Sequence, residues 1–170
     1  MRFTGPDLWD CAARGDVAAL RQHVRSRVGV RTPQRGAGID EACPWTGLTA
    51  LHAACANGRL RAATLLLEWG ADPRAAARDS RKTALHFCCE NGHLRLAALL
   101  LELVDSARSL TTDRAGNSVL HAACQSGNLE LVKLFFKRFP AEELSEMVEP
   151  GEFEESIDEF LDERLQARHT

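Results

Sequence analysis

The sequence predicts an all-α fold in which short helix-turn-helix units stack into a solenoid. Three observations predict it. The stretch TALHAACANGRL, Thr49 to Leu60, returns as TALHFCCENGHL from Thr83 to Leu94 and as SVLHAACQSGNL from Ser118 to Leu129. The His-to-His steps, His52 to His86 to His121, are 34 and 35 residues, and a fixed period in this range marks a repeat array. Each copy also carries a hydroxyl cap, small residues, a glycine and then a second apolar run, which is the layout of two short helices.

The chain opens on a degenerate unit, residues 4–28. Thr4 and Asp7 have capping-box spacing, Leu8-Trp9 stands where later copies have Leu-His, and Arg14-Gly15 stands where they have Asn-Gly. Val17, Leu20 and Val24 extend an apolar stripe, and Arg14, Asp16, Arg21, Gln22 and His23 give the polar outer face that a terminal repeat needs. Between this unit and the next lies a basic insert, residues 25–44, with Gly29, Pro33, Gly36 and Gly38 among Arg25, Arg27, Arg31 and Arg35. It reads as a long loop able to meet phosphate or an acidic partner, or as a solvated insertion.

Three clear repeats follow, 45–77, 78–111 and 112–140. Thr49, Thr83 and Ser118 suit helix N-caps, because a side-chain oxygen there accepts an otherwise orphaned backbone N–H. Small residues come next (Ala53, Ala54, Cys55; Cys88, Cys89; Ala122, Ala123, Cys124) and let neighbouring helices approach. Asn57-Gly58, Asn91-Gly92 and Gly127 end each first helix through left-handed backbone. The second helices carry Leu60, Ala63, Leu65, Leu66 and Leu67; Leu94, Leu96, Leu99, Leu100 and Leu101; and Leu129, Leu131, Val132, Leu134, Phe135 and Phe136, at helical spacing.

At these residues the chain resembles the ankyrin repeat family, whose unit is a β-turn and two antiparallel helices with a T-P-L-H-x-A signature. It departs from that pattern at two points. Ala50, Ala84 and Val119 stand where the signature has proline, and the turn glycine, present as Gly47 and Gly116, is Arg81 in the second copy. That substitution predicts a strained or differently shaped turn. The resemblance implies that the signature histidines are structural, that Asn57 and Asn91 stand where some ankyrin repeats are hydroxylated, and that partners are met by the turn tips and the exposed edge of each first helix. Carried over by position, that surface comprises Trp45, Thr46 and Leu48; Asp79, Ser80 and Lys82; Arg114, Ala115 and Asn117; and the helix-edge residues Arg14, Ala56, Glu90 and Gln125. Trp45 and Leu48 are the candidate anchors, since large apolar groups on a turn gain most from being covered.

Composition changes after the third repeat. Residues 141–170 hold eleven Asp/Glu and two Arg, a charge of −9, whereas residues 1–140 carry +6. Pro140 suits the first turn of a helix from Ala141 to Val148. Phe153, Ile157, Phe160, Leu161 and Leu165 recur at helical spacing beyond Gly151, so the segment reads as an acidic helical extension that caps the stack or recognises a partner.

Other chemistry finds little support. Equivalent histidines in successive repeats lie too far apart to share one zinc, and although His86, Cys89 and His93 have face-sharing spacing, Asn91-Gly92 should break the helix between them. Cys55, Cys89 and Cys124 occupy one position in successive repeats, roughly 10 Å apart, beyond the roughly 7 Å that a disulfide spans; they read as small core residues in a reducing compartment. No nucleophile elbow, P-loop or dinucleotide fingerprint occurs. No apolar run approaches a membrane span. The expectation is therefore a non-enzymatic, cytoplasmic or nuclear monomer that binds a protein partner as adaptor, scaffold or inhibitor, with no cofactor and no metal. The alternative is a nucleic-acid-associated regulator with a basic body and an acidic autoinhibitory tail. It is disfavoured because the basic residues are spread out, without interleaved stacking aromatics.

Overall fold

The computed structural model describes residues 7–28, 38–103 and 111–139. Within them lie eight helices, α1 (Leu8–Arg14), α2 (Val17–Val28), α3 (Ala50–Ala56), α4 (Leu60–Glu68), α5 (Ala84–Glu90), α6 (Leu94–Glu102), α7 (Val119–Gln125) and α8 (Leu129–Arg138). They form two layers. First helices stack in the order α1, α3, α5, α7, and second helices in the order α2, α4, α6, α8. The core between the layers is built from Leu51, Leu66, Leu85, Leu96, Leu100, Leu120, Leu131 and Phe135, all at most 3% exposed, with Ala54, Ala84 and Ala123 where the helices meet.

The caps explain why each first helix starts where it does. Thr49, Thr83 and Ser118 are the N-caps, each in extended backbone. The histidine three residues on turns its ring back to the cap, and Nδ1 accepts the backbone N–H of Thr49 at 3.0 Å, of Thr83 at 3.2 Å and of Ser118 at 3.2 Å. A backbone N–H can only donate, so Nδ1 is the acceptor and the proton sits on Nε2. That Nε2–H then donates further along the chain, from His52 to the Ala75 carbonyl near the end of its own repeat at 3.0 Å and from His86 to the Asn117 carbonyl of the next repeat at 3.3 Å. Burial lowers the pKa of both imidazoles, and the carbonyls they donate to only partly oppose it.

Helix ends follow from glycine. Gly58, Gly92 and Gly127 have φ of 67°, 72° and 67°. Asn57 and Asn91 stay at negative φ and instead donate their side-chain amides to the Ala53 and Phe87 carbonyls, both at 2.9 Å. Gly58 is also needed for space: a Cβ there would meet the His93 ring at 2.7 Å.

Several sequence expectations change in detail. Asp7 is itself the N-cap of α1, without a side-chain cap bond, rather than the N3 residue of a capping box begun at Thr4, which lies outside the described residues. Helix α2 continues through Arg25 to Val28, so the first four residues assigned to the basic insert are helical; nothing in them breaks a helix before Gly29. At its other end the insert is anchored by Ile39 and Cys43, both buried. Cys124 is half-buried where Cys55 and Cys89 are fully buried, and none of the six cysteines forms a disulfide. Phe136 falls off the apolar stripe of α8 and is 39% exposed. The link at 105–112 lies mostly outside the described residues, as does the whole extension 141–170.

Candidate functional site

Each repeat begins with a tight hairpin that projects beside its first helix. In the first, Cys43 N–H donates to the Leu48 carbonyl at 2.8 Å; in the second, Ala77 N–H donates to the Lys82 carbonyl at 2.8 Å. Thr46 and Ser80 build these turns, their hydroxyls accepting the N–H groups of Leu48 and Lys82. The third hairpin is one residue tighter, closed by Asp113 N–H on the Asn117 carbonyl at 2.9 Å. Its carboxylate accepts from Ala115 and Asn117 N–H groups, both at 2.9 Å. Burial alone would raise that carboxyl, but the donors from Asn117 and Ala115 outweigh it and hold the Asp113 pKa below its ordinary value.

The left-handed turn position is Gly47 at φ 65°, Arg81 at φ 57° and Gly116 at φ 87°. Arg81 is the sole non-glycine residue at positive φ among the described residues. The second turn is thus strained, by about 1 kcal/mol relative to glycine, yet it keeps the hydrogen-bond register of the first. The differently shaped turn is the third.

The hairpins adjoin edge to edge. Arg78 N–H donates to the Gly47 carbonyl at 3.1 Å, and Arg114 N–H to the Ser80 carbonyl at 2.8 Å, so the three tips form one strip. Along it Trp45 is 84% exposed, with Thr46, Asp79, Arg114 and Ala115 also exposed. Leu48, Lys82 and Asn117 are half-buried because they close the hairpins, and Ser80 is half-buried where the third hairpin adjoins its carbonyl. Lys82 reaches the end of α5 and forms an ion pair with Glu90, which joins two of the candidate residues to each other. Ala56 is half-buried and Gln125 exposed at the ends of their helices. Arg14 stands one residue beyond that register, just before Gly15, and is ion-paired with Asp10 at 3.1 Å.

The binding candidates read from the sequence leave out two groups. Arg78 and Arg81 are exposed on the same strip, flagged only by their place in the second turn. At the opposite end of each unit, the residue before the second helix reaches back to the preceding repeat: Arg59 Nε donates to the Ala13 carbonyl at 3.0 Å, His93 Nε2 to Ala56 at 3.3 Å and Asn128 Nδ2 to Gly92 at 3.3 Å. His93 therefore points to the repeat before it while His86 points to the repeat after it, and the pair does not converge on one site. Among the described residues no cluster of His, Cys, Asp or Glu could hold a metal ion, and no helix is long and apolar enough to cross a membrane.

Comparison with protein families agrees with this geometry. The family model described as Ankyrin repeat matches residues 46–78, and Ankyrin repeats (3 copies) matches residues 74–145. Together the matches span more than half of the chain, which belongs to the ankyrin repeat family, a class of protein-interaction modules. A search of the curated proteins finds no match.

Proposed function

We propose that this chain is a non-enzymatic protein-binding module, an adaptor or an inhibitor that masks a partner's surface, acting as a monomer in the cytoplasm or nucleus. One observation carries the reading. The strip of adjoining hairpin tips presents a different set of side chains in every repeat, and at one end it holds Trp45 at 84% exposure. A solvated indole of this size on a rigid turn has no packing role in the stack. Covered by a partner, it is the kind of aromatic anchor that dominates interface energetics.

The test is capture of partners from a cytosolic extract by the intact chain, its Trp45→Ala variant and a Trp45→Ala, Leu48→Ala double variant, with bound proteins identified by mass spectrometry. The single variant should melt like the parent, since the indole supports no core contact; the double variant also removes a half-buried side chain. Loss of a partner from the single variant supports the reading. An unchanged set of partners moves recognition away from the hairpin strip.

A further inference from the structure

The hairpin strip carries more positive charge than the fold neutralises. Arg78, Arg81 and Arg114 are exposed on adjoining tips, and no ion pair reaches any of their guanidinium groups among the described residues. Arg114 Nη1 donates to the Asp79 backbone carbonyl at 3.2 Å, which orients the side chain without cancelling its charge. Arg81 is the most informative of the three. Its sister positions are Gly47 and Gly116, and the chain keeps a long cationic side chain where glycine would sit without strain. Backbone held in a disfavoured region on behalf of one side chain points to a use for that side chain. Next to these cations stands the uncovered indole of Trp45.

We propose that residues 141–170 of this same chain occupy the strip, their carboxylates pairing with Arg78, Arg81 and Arg114 while an aromatic side chain of the segment covers Trp45. The tail then competes with partner proteins for one surface. Its composition matches on both counts: it carries −9, and Phe153, Ile157, Phe160 and Leu161 are interleaved with Glu152, Glu154, Glu155, Asp158 and Glu159. Arginine and carboxylate pair as two-pronged, charge-assisted hydrogen bonds, stronger than neutral ones. Reach is sufficient. In the first clear repeat the chain passes from the end of α4 at Glu68 to the second hairpin at Ala77, and α8 ends at Arg138 in the same register as α4. Two repeat steps of about 10 Å separate that end from the second hairpin, and the thirteen residues from Pro140 to Glu152 span about 28 Å with Ala141 to Val148 helical and up to about 40 Å extended. Tethering supplies an effective concentration in the millimolar range, so that even modest pairing fills the strip.

The proposal rests on the strip being the protein-binding surface, but its test needs no partner. The full chain labelled with 5-fluorotryptophan gives separate fluorine resonances for Trp9, Trp45 and Trp69, and Trp45→Phe assigns the middle one. The Trp45 resonance of the parent is compared with that of full-length chains carrying E152Q, E154Q, E155Q, D158N and E159Q together, or Arg81→Gly. The Trp45 signal is expected to shift in both variants. It should shift likewise in the parent as salt rises from about 0.1 to about 1 M, which shortens the screening length from about 10 Å to about 3 Å. Trp9 and Trp69 should hold still. An identical Trp45 resonance in parent and tail-neutralised chains at low salt overturns the proposal, as does a shift that depends on protein concentration, which would place the contact between copies. Loss of a captured partner with Trp45→Ala, combined with no response to the tail, would leave the strip as a partner site and sink the tail's occupancy alone.

Discussion

The helix starts and the hairpin tips of this molecule stand a few residues apart and obey opposite rules. At the starts, Thr49-His52, Thr83-His86 and Ser118-His121 repeat one arrangement three times, with the ring nitrogen on the cap N–H each time. At the tips, Trp45-Thr46-Gly47, Asp79-Ser80-Arg81 and Arg114-Ala115-Gly116 share almost no side chain. The repeated positions are buried save for the half-buried His121, and His52 and His86 also bond to carbonyls further along the chain, whereas the varied positions are largely exposed. Under the function proposed above, stability and recognition are carried by different residues, so each should be alterable without the other.

The sharpest way to break that division is to damage the shared frame. Leu66 is fully buried between the layers, and Leu66→Ala should destabilise the chain by about 3 kcal/mol in urea unfolding, with loss of any partner following the loss of fold. A cost below about 1 kcal/mol would show that the layers repack freely. Next comes His86→Ala, which removes the cap interaction and the bond to the Asn117 carbonyl and leaves buried backbone groups unmet; about 2 kcal/mol is expected.

Acidity gives a check on the same histidines. Burial depresses His52 and His86 below the usual 6.5, so the unfolded chain takes up protons first as pH falls. Their contribution is fully present above about 6.5 and is lost as pH drops through that value towards their folded pKa. Melting temperature should fall over this window in the parent, and fall less in His86→Ala. Equal acid sensitivity of parent and variant would assign the effect to other groups.

At the tips the expected effects on stability are smaller, and one has the opposite sign. Arg81→Gly should stabilise the chain by about 1 kcal/mol by relieving the left-handed turn, read as a raised midpoint in urea. Trp45→Ala should change stability by less than about 0.5 kcal/mol while abolishing partner capture. A large loss of stability in that variant would mean that the indole supports the fold after all.

What the sequence disclosed follows the same line. The cap, the signature histidine and the terminating glycine were legible because they recur three times, and Arg81 stood out because its two sisters are glycine. The backward contacts of Arg59, His93 and Asn128 were not, since three different side chains do the same job and leave no repeated letter. Nor was the tighter third hairpin, whose register is set by which carbonyl Asp113 N–H chooses. The true end of α2 was obscured because Arg25 to Val28 is ordinary helix sequence flanked by glycine and proline. Among the binding candidates, exposure at Trp45 followed from its turn position, whereas the pairing of Lys82 with Glu90 depended on two elements meeting in space.

The two cross-repeat bonds also differ in which partner is made first during synthesis. His86 waits for the carbonyl of Asn117, 31 residues downstream, while His93 takes its acceptor from Ala56, 37 residues already made. As the chain leaves the ribosome, each new unit can fasten its rear to what exists at once, but its front is completed only when the following hairpin emerges. A stack that ended after the second repeat would therefore leave the His86 Nε2–H without the Asn117 carbonyl that meets it.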